Sequence, residues 1–315
     1  MSKQRKYSLE QIKSQGSDGF FEILTKRISL SDLNSLLLDI FRIRTTASTP
    51  SNLLKKYSEN RFVQPAGISP IELKHLELEL LQLAESLCFT PILLSPVAQL
   101  GSCSIIAPVN QNKVISALRG TEVVADSTNS LALYICDHLK KGEFNNKNDF
   151  VRFCNSQRIV RAQSFSKAGL LPHFHIFSLV TSGIDKGSYS FEKKALTEHF
   201  EMYHRIFRTI MNPKITFRFI QTEGYKDGNG LINRITEYIQ EIAPHINLDN
   251  NIEVVENSYY QGLQFKVIIE ENGEEIFIGD GGFVNWSQKL LGIKKERMLI
   301  SAIGLDRLLV LKNKH

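Results

Sequence analysis

The sequence predicts an α+β fold in which helices flank an antiparallel sheet, and two observations carry that expectation. Short alternating segments crowd the final third with turns between them, so their strands pair as hairpins. Helical periodicities lie among the strands without the regular strand–helix rhythm of a parallel doubly wound sheet.

Residues 1–65 read as an N-terminal helical accessory segment and 66–315 as the core. Ser31 is placed to cap a helix reaching about Thr45, whose stripe of Leu33, Leu36, Leu37, Ile40 and Phe41 is expected to pack on the main body. A short helix begins near Ser51, after Thr49-Pro50. Ser69-Pro70-Ile71-Glu72 is a capping box with proline at the first helical position. Its helix should run to about Leu87, turning Ile71, Leu76, Leu80, Leu83 and Leu87 inward, and Phe89–Leu94 then reads as a buried strand. Ser127 caps a helix to Lys141, which Gly142 ends with two lysines in the last turn. Phe174–Thr181 alternates as a half-buried strand.

A long helix follows over about Phe191–Met211 and stops at Asn212-Pro213. Lys214–Gln221 alternates again, a glycine-rich turn spans Gly224–Gly230, and Leu231–Ala243 forms a helix that ends before Pro244. The closing strands are Glu253–Glu256, Leu263–Glu270, Glu275–Gly279 and Met298–Ile303, with Glu271-Asn272-Gly273-Glu274 making a hairpin around Asn-Gly.

The chain of 315 residues is 42% hydrophobic and 23% charged, ordinary for a soluble globular protein. Its formal charge of +5, much of it in the first 27 residues, is too mild to argue for nucleic acid. Cys88, Cys103, Cys136 and Cys154 form no CxxC or Cys/His pair, so they read as buried free thiols of a reducing cytoplasm rather than zinc ligands. No apolar run approaches the ~20 residues that span a bilayer, and no apolar region follows the basic N-terminus. No metal site is expected: His173 and His175 share one side of a strand without a third ligand, and Asp227-Gly228-Asn229-Gly230 reads as a turn.

Motifs along the core carry a resemblance. Tyr259-Tyr260-Gln261-Gly262-Leu263-Gln264-Phe265, then Gly279-Asp280-Gly281-Gly282-Phe283, then Gly304-Leu305-Asp306-Arg307 resemble, in order and spacing, the end of the histidyl-tRNA synthetase catalytic domain. The long helix from Ser69 and the strand containing Pro91 resemble motif 1 of class II aminoacyl-tRNA synthetases. Arg158-Ile159-Val160-Arg161-Ala162-Gln163 resembles motif 2. The resemblance implies a class II core with a helical insertion between motifs 2 and 3, about 190–245, and a homodimer through motif 1. The family continues into an anticodon-binding domain, whereas this sequence stops at His315, so tRNA is not the expected partner.

By this resemblance Arg161 contacts the α-phosphate of ATP and the substrate carboxylate, and Arg307 holds the γ-phosphate. Guanidinium groups suit both tasks because they keep their charge and fork onto oxygen pairs. Phe174 corresponds to the phenylalanine that stacks on adenine, in a loop about one residue off the family spacing. Gln163 stands where the family has glutamate, and its oxygen can still accept from the adenine amino group. Ala125-Asp126-Ser127-Thr128 resembles the Pro-Glu-Gly-Thr stretch on the amino-acid side of the pocket; Asp126 reads equally well as an acidic residue at a helix N-terminus. Tyr259, Tyr260 and Gly281 correspond to substrate-pocket positions.

Three departures argue against histidine as substrate. Val255 replaces an arginine, Ser258 an aspartate, and Gly282-Phe283-Val284-Asn285 the Gly-Arg-Tyr-Asp stretch. Each electrostatic group lost near the reacting atoms costs ~3 kcal/mol or more of transition-state stabilisation. Two functions follow as expectations. The first is an ATP- and Mg2+-dependent ligase forming the acyl-adenylate of a small carboxylate, an amino acid other than histidine. The second is a non-catalytic regulatory subunit resembling the synthetase-like subunit of ATP phosphoribosyltransferase, with a phosphoribosyltransferase as partner.

Overall fold

The computed structural model describes residues 18–162, 171–271 and 273–313. The chain divides into two compact units, one ending at Asn60 but including Ala117–Thr121, the other made of Arg61–Ser116 and the chain from Glu122.

In the first unit a short helix α1 (Asp18–Glu22) precedes α2 (Leu30–Thr46) and α3 (Pro50–Glu59). Ser29 rather than Ser31 caps α2, because its Oγ sits three residues ahead of the Asp32 N–H that it accepts at 3.1 Å. No residue of α2 is buried, and Phe41 of the expected stripe is 53% exposed. Leu30, Leu38 and Ile43 are exposed as well, so the apolar face is broader than the expected stripe and none of it is fully buried. Helix α3 starts as expected, with Thr49 accepting from Asn52 and Pro50 in the first turn.

The second unit is built on one eight-stranded sheet. Its order is β1-β4-β5-β10-β9-β8-β6-β7, formed by β1 (Thr90–Pro91), β4 (Val151–Val160), β5 (His173–Ile184), β6 (Ile215–Gln221), β7 (Leu248–Val254), β8 (Leu263–Glu271), β9 (Glu274–Val284) and β10 (Glu296–Gly304). The interior pairs are antiparallel; only the two edges, β1·β4 and β6·β7, are parallel. Two short strands, β2 (Val97–Gln99) and β3 (Thr121–Val123), pair separately.

The span read as a helical insertion supplies α6 (Ser190–Ile210) and α7 (Gly228–Ile242), and the strand between them, β6, joins the main sheet. Phe89–Leu94 forms less strand than expected. Only Thr90 and Pro91 pair, proline has no N–H to extend the ladder, and Leu93 is 93% exposed. Strand β7 begins at Leu248, ahead of the expected Glu253, and Gly273 turns the β8–β9 hairpin at φ +80°.

One face of the sheet is sealed by helices. Helix α4 (Pro70–Ser86) buries Leu73, Leu76, Leu80 and Ala84, an i, i+3, i+4 series that leaves Ile71 70% exposed rather than inward. With α6, α7 and α9 (Leu305–Lys312) it covers Phe177, Leu179, Phe217, Phe265, Leu299 and Ile303. Within this hydrocarbon layer a polar bolt ties α6 to the sheet. His199 lies 2.9 Å from Thr181 Oγ1 and 2.8 Å from Ser301 Oγ, to which the Tyr203 hydroxyl donates at 2.6 Å.

The other face is only half covered. Helices α5 (Ser127–Lys141) and α8 (Trp286–Leu291) pack Leu131, Ile135 and Trp286 on Phe153, Val180, Met298 and Ile300. Beyond them Phe174, Ala302, Asp280, Gln264 and Lys266 are left on this face by the strand register.

Candidate functional site

The candidate pocket is a cluster of polar and aromatic side chains where the start of α5 meets that part of the sheet. Asp126, not Ser127, is the cap of α5. Its Oδ1 accepts the Thr128 N–H at 2.9 Å and the Thr128 hydroxyl at 2.8 Å, fixing the carboxylate at the positive end of the helix. Its second oxygen, Oδ2, accepts the Tyr259 hydroxyl at 3.0 Å. Asp126 is therefore the helix cap and, through its other oxygen, a partner of Tyr259.

Tyr259 and Tyr260 meet edge to face with ring centroids 4.8 Å apart, and Tyr259 rests on Trp286 at 5.5 Å. Tyr260 lies over Gly282, where an added Cβ would come within 2.6 Å of its ring, and is linked by a side-chain hydrogen bond to Asp280. Gln264 Nε2 donates to the same carboxylate at 3.3 Å. Burial, then the Asp126 charge, pushes the Tyr259 phenol well above its usual range, so it stays a donor. Burial raises Asp280 as well; Arg161 opposes that rise and Asp126 adds to it.

Arg161 enters from the end of β4. Its Nε–H donates to the Ala125 carbonyl at 3.1 Å, and the guanidinium lies 5.3 Å from the centre of the Phe174 ring. The pocket thus gathers two carboxylates, one guanidinium and two phenols over an aromatic floor. Such a set suits a small molecule carrying both an ammonium and a carboxylate group.

Of the residues expected from the sequence, Arg161, Phe174, Asp126, Thr128, Tyr259 and Tyr260 are brought together. Gly281 is not in the pocket. Its neighbours in space are Ser301 Cβ, the Ile300 carbonyl and the Phe265 ring, all within 2.5 Å of where a Cβ would stand, so the residue packs the helix-covered face. Phe283 is buried on that face too, near Phe191. Arg307 is exposed and donates to the Phe277 carbonyl of β9, with no contact to Arg161. Gln163 lies outside the described residues.

Asp280 and Gln264 are pocket residues that motif matching did not single out. Their signal was alternation: with Gly281 and Phe265 inward, both must point to the other face. The expected free thiols are present, but Cys88 is exposed, whereas burial pushes the Cys103, Cys136 and Cys154 thiols up to about 12. His173 and His175 do share a side: His175 Nε2 lies 2.7 Å from Glu77, and His173 Nε2 2.7 Å from the Gln64 carbonyl. Asp227 caps α7 by accepting the Gly230 N–H at 2.8 Å.

No protein-family model and no curated protein matches the chain. Solved structures do, and they place its fold with class II aminoacyl-tRNA synthetase-like cores. The chain is similar to apo histidyl-tRNA synthetase of S. aureus, with a TM-score of 0.60 at 13% identity, over 78% of this chain and 68% of that one. It is also similar to an ATP phosphoribosyltransferase regulatory subunit/histidyl-tRNA synthetase from Bacillus halodurans C, with a TM-score of 0.58 at 12% identity, over 79% and 82%. A histidine–tRNA ligase subunit from Alicyclobacillus acidocaldarius is matched over 97% of its length and 80% of this chain, with a TM-score of 0.56 at 12% identity. At such identities the likeness speaks for the fold. Among the described residues no helix is long and apolar enough to cross a membrane.

Proposed function

We propose that the pocket binds a small amino acid and that the chain activates its carboxylate with ATP. The observation that supports this is the clustering of Asp126, Tyr259, Tyr260, Asp280 and Arg161 between the start of α5 and the sheet. Asp126 and Asp280 would hold the ammonium, leaving Arg161 to pair with the carboxylate and the α-phosphate. A carboxylate oxygen attacks the α-phosphorus, the bond to the β-phosphate oxygen breaks, and pyrophosphate leaves with its electron pair.

Phe174 would take one side of the adenine. Arg307, three strand spacings from the β4 end by way of Phe277, would face the far phosphate across roughly 14 Å of sheet. Asp306 is engaged by Arg158 and the His175 N–H, so Mg2+ would be held mainly by phosphate oxygens and water.

Pyrophosphate exchange screened across the amino acids tests this reading. Exchange with one or a few basic or polar amino acids, lost in Arg161→Ala and weakened in Tyr259→Phe, is the expected result. Silence with every amino acid, in protein that also fails to bind ATP, overturns it.

A second reading has its own support. Val255 and Phe283 remove charges that the histidyl family keeps, and Phe283 turns into the core, so a binding function without catalysis fits them. In that case the chain serves as a regulatory subunit for a phosphoribosyltransferase. Co-purification with such an enzyme favours it, and a clean homodimer with exchange activity counts against it. A homodimer through the motif 1 face is proposed in either case, because Ile71, Leu78 and Leu93 are exposed along α4 and the β1 edge. Sedimentation velocity with Leu93→Asp tests it, the expected outcome being a shift to monomer.

A further inference from the structure

On the helix-covered side of the sheet, away from the pocket, a cavity of about 670 Å³ opens beside α6 and the turn that follows α7. Three of its residues, Glu201, His204 and His245, offer ligand atoms that all lie within 4.8 Å of one another. Glu201 and His204 stand three residues apart on α6, which stacks them on one face of the helix. His245 comes from a different element, just after Pro244 has ended α7. Its Nε2 lies 2.9 Å from Glu201 Oε1, and its ring centre 4.7 Å from that of His204.

Two imidazoles and one carboxylate are a donor set that zinc and its neighbours in the first transition row favour over calcium or magnesium. A Glu-x-x-His pair on one helix is a spacing that projects both ligands to the same ion. Around a tetrahedral ion with bonds of about 2.0–2.1 Å, ligand atoms stand roughly 3.3 Å apart. Glu201 and His245 are already at 2.9 Å, and the partly exposed side chains can bring the set, now within 4.8 Å, to that separation by rotating. A plain ion pair between Glu201 and His245 accounts for two of the residues but leaves the approach of the His204 ring without a reason.

We propose that Glu201, His204 and His245 bind one divalent transition-metal ion of the zinc class. Three protein ligands leave a position open toward the cavity, as in sites that accept an exogenous ligand. Arg205 and Arg208 line the same cavity. Their charges oppose a bare dication but favour an anion in the open position, so metal and anion bind together. The ion ties α6 to the turn after α7, and the site stands independently of any activity at the pocket.

Titration of the whole chain with Zn2+ by calorimetry, and with Co2+ by visible absorption, tests the assignment. The expected result is one ion per chain, with tetrahedral Co2+ bands, no thiolate charge transfer of the kind Cys88 would give, and tighter binding when inorganic phosphate is added. His245→Ala and Glu201→Gln should each weaken binding by on the order of tenfold or more, while His75→Ala, at an exposed histidine on α4, leaves it unchanged. All three positions are at least partly exposed, so the variants should keep the wild-type circular dichroism. Absence of saturable binding, or binding that persists unchanged in the His204→Ala/His245→Ala double variant, overturns the proposal.

Discussion

Arg158 and Asp306 are 148 residues apart in the chain, yet the Arg158 Nη2 lies 3.2 Å from both oxygens of the Asp306 carboxylate. The pair joins the motif 2 strand to the first turn of α9. Asp306 also accepts the His175 N–H at 3.0 Å, and Arg158 Nη1 lies 3.0 Å from His173 Nδ1. Two strands and a helix are thereby fixed relative to Arg307, the next residue along.

Removing either partner should be unequal in effect. Arg158→Ala leaves Asp306 with its backbone donor and should cost about 1 kcal/mol, since the arginine side chain is 30% exposed. Asp306→Ala takes the acceptor from the His175 N–H and leaves Arg158 with His173 alone, and about 2 kcal/mol is expected. Urea unfolding of the single and double variants reads both costs. Strict additivity would show that the pair is not coupled.

Asp280 gives a pH signature. Its carboxyl is raised above 3.8 in the folded chain, first by burial, so the native state holds its proton more tightly than the unfolded state. Between the unfolded value and the raised native one, stability therefore falls as pH rises, and the penalty is complete above the native value. Asp280→Asn should melt higher than wild type at neutral pH and equal to it at pH about 3. A melting curve unchanged at neutral pH would remove Asp280 from the account of the pocket.

His199 should act in the opposite direction. Burial, with the Arg152 charge adding to it, lowers this imidazole from 6.5 to about 3, so it folds neutral between Thr181 and Ser301. Below pH 6.5 the unfolded chain takes up a proton that the folded chain refuses, and stability falls by about 1.4 kcal/mol per pH unit until the native value is reached. Comparing wild type with His199→Gln from pH 7 to 4 isolates the effect, because the variant should lack that slope.

Gly281→Ala tests the packing beneath the pocket. A methyl group there would stand 2.4 Å from Ser301 Cβ and 2.5 Å from the Ile300 carbonyl, which backbone cannot yield cheaply. A loss of about 1–3 kcal/mol is expected from overpacking. Little change in the denaturation midpoint would mean that β9 has room to shift.

Much of this was legible in the residues, and the exceptions have physical causes. The caps at Ser69 and Thr49, the Asn-Gly hairpin and the glycine stop at Gly142 are local signals, and local signals survive folding. Strand β4 was hidden because Asn155, Ser156 and Gln157 interrupt its apolar pattern. Their partners, the Ile92 carbonyl, Glu77 and the Ser95 carbonyl, come from 63, 79 and 62 residues away. Ile71 looked inward because helical spacing fits more than one register, and only the sheet beneath α4 selects Leu73 and Leu76. Among the pocket residues, Arg161 and the tyrosines stood out by motif. Asp280 was masked by the glycines around it, and Gly281 was drawn in by them, since a motif does not say which side of a strand a residue serves.

Strand β9 keeps its two duties on alternate residues: Gly279 and Gly281 press against the scaffold while Asp280 looks out over the pocket. A change at the outward residue therefore alters the polar cluster while leaving untouched the close packing that the inward glycines allow, so the two faces of one strand can be varied separately.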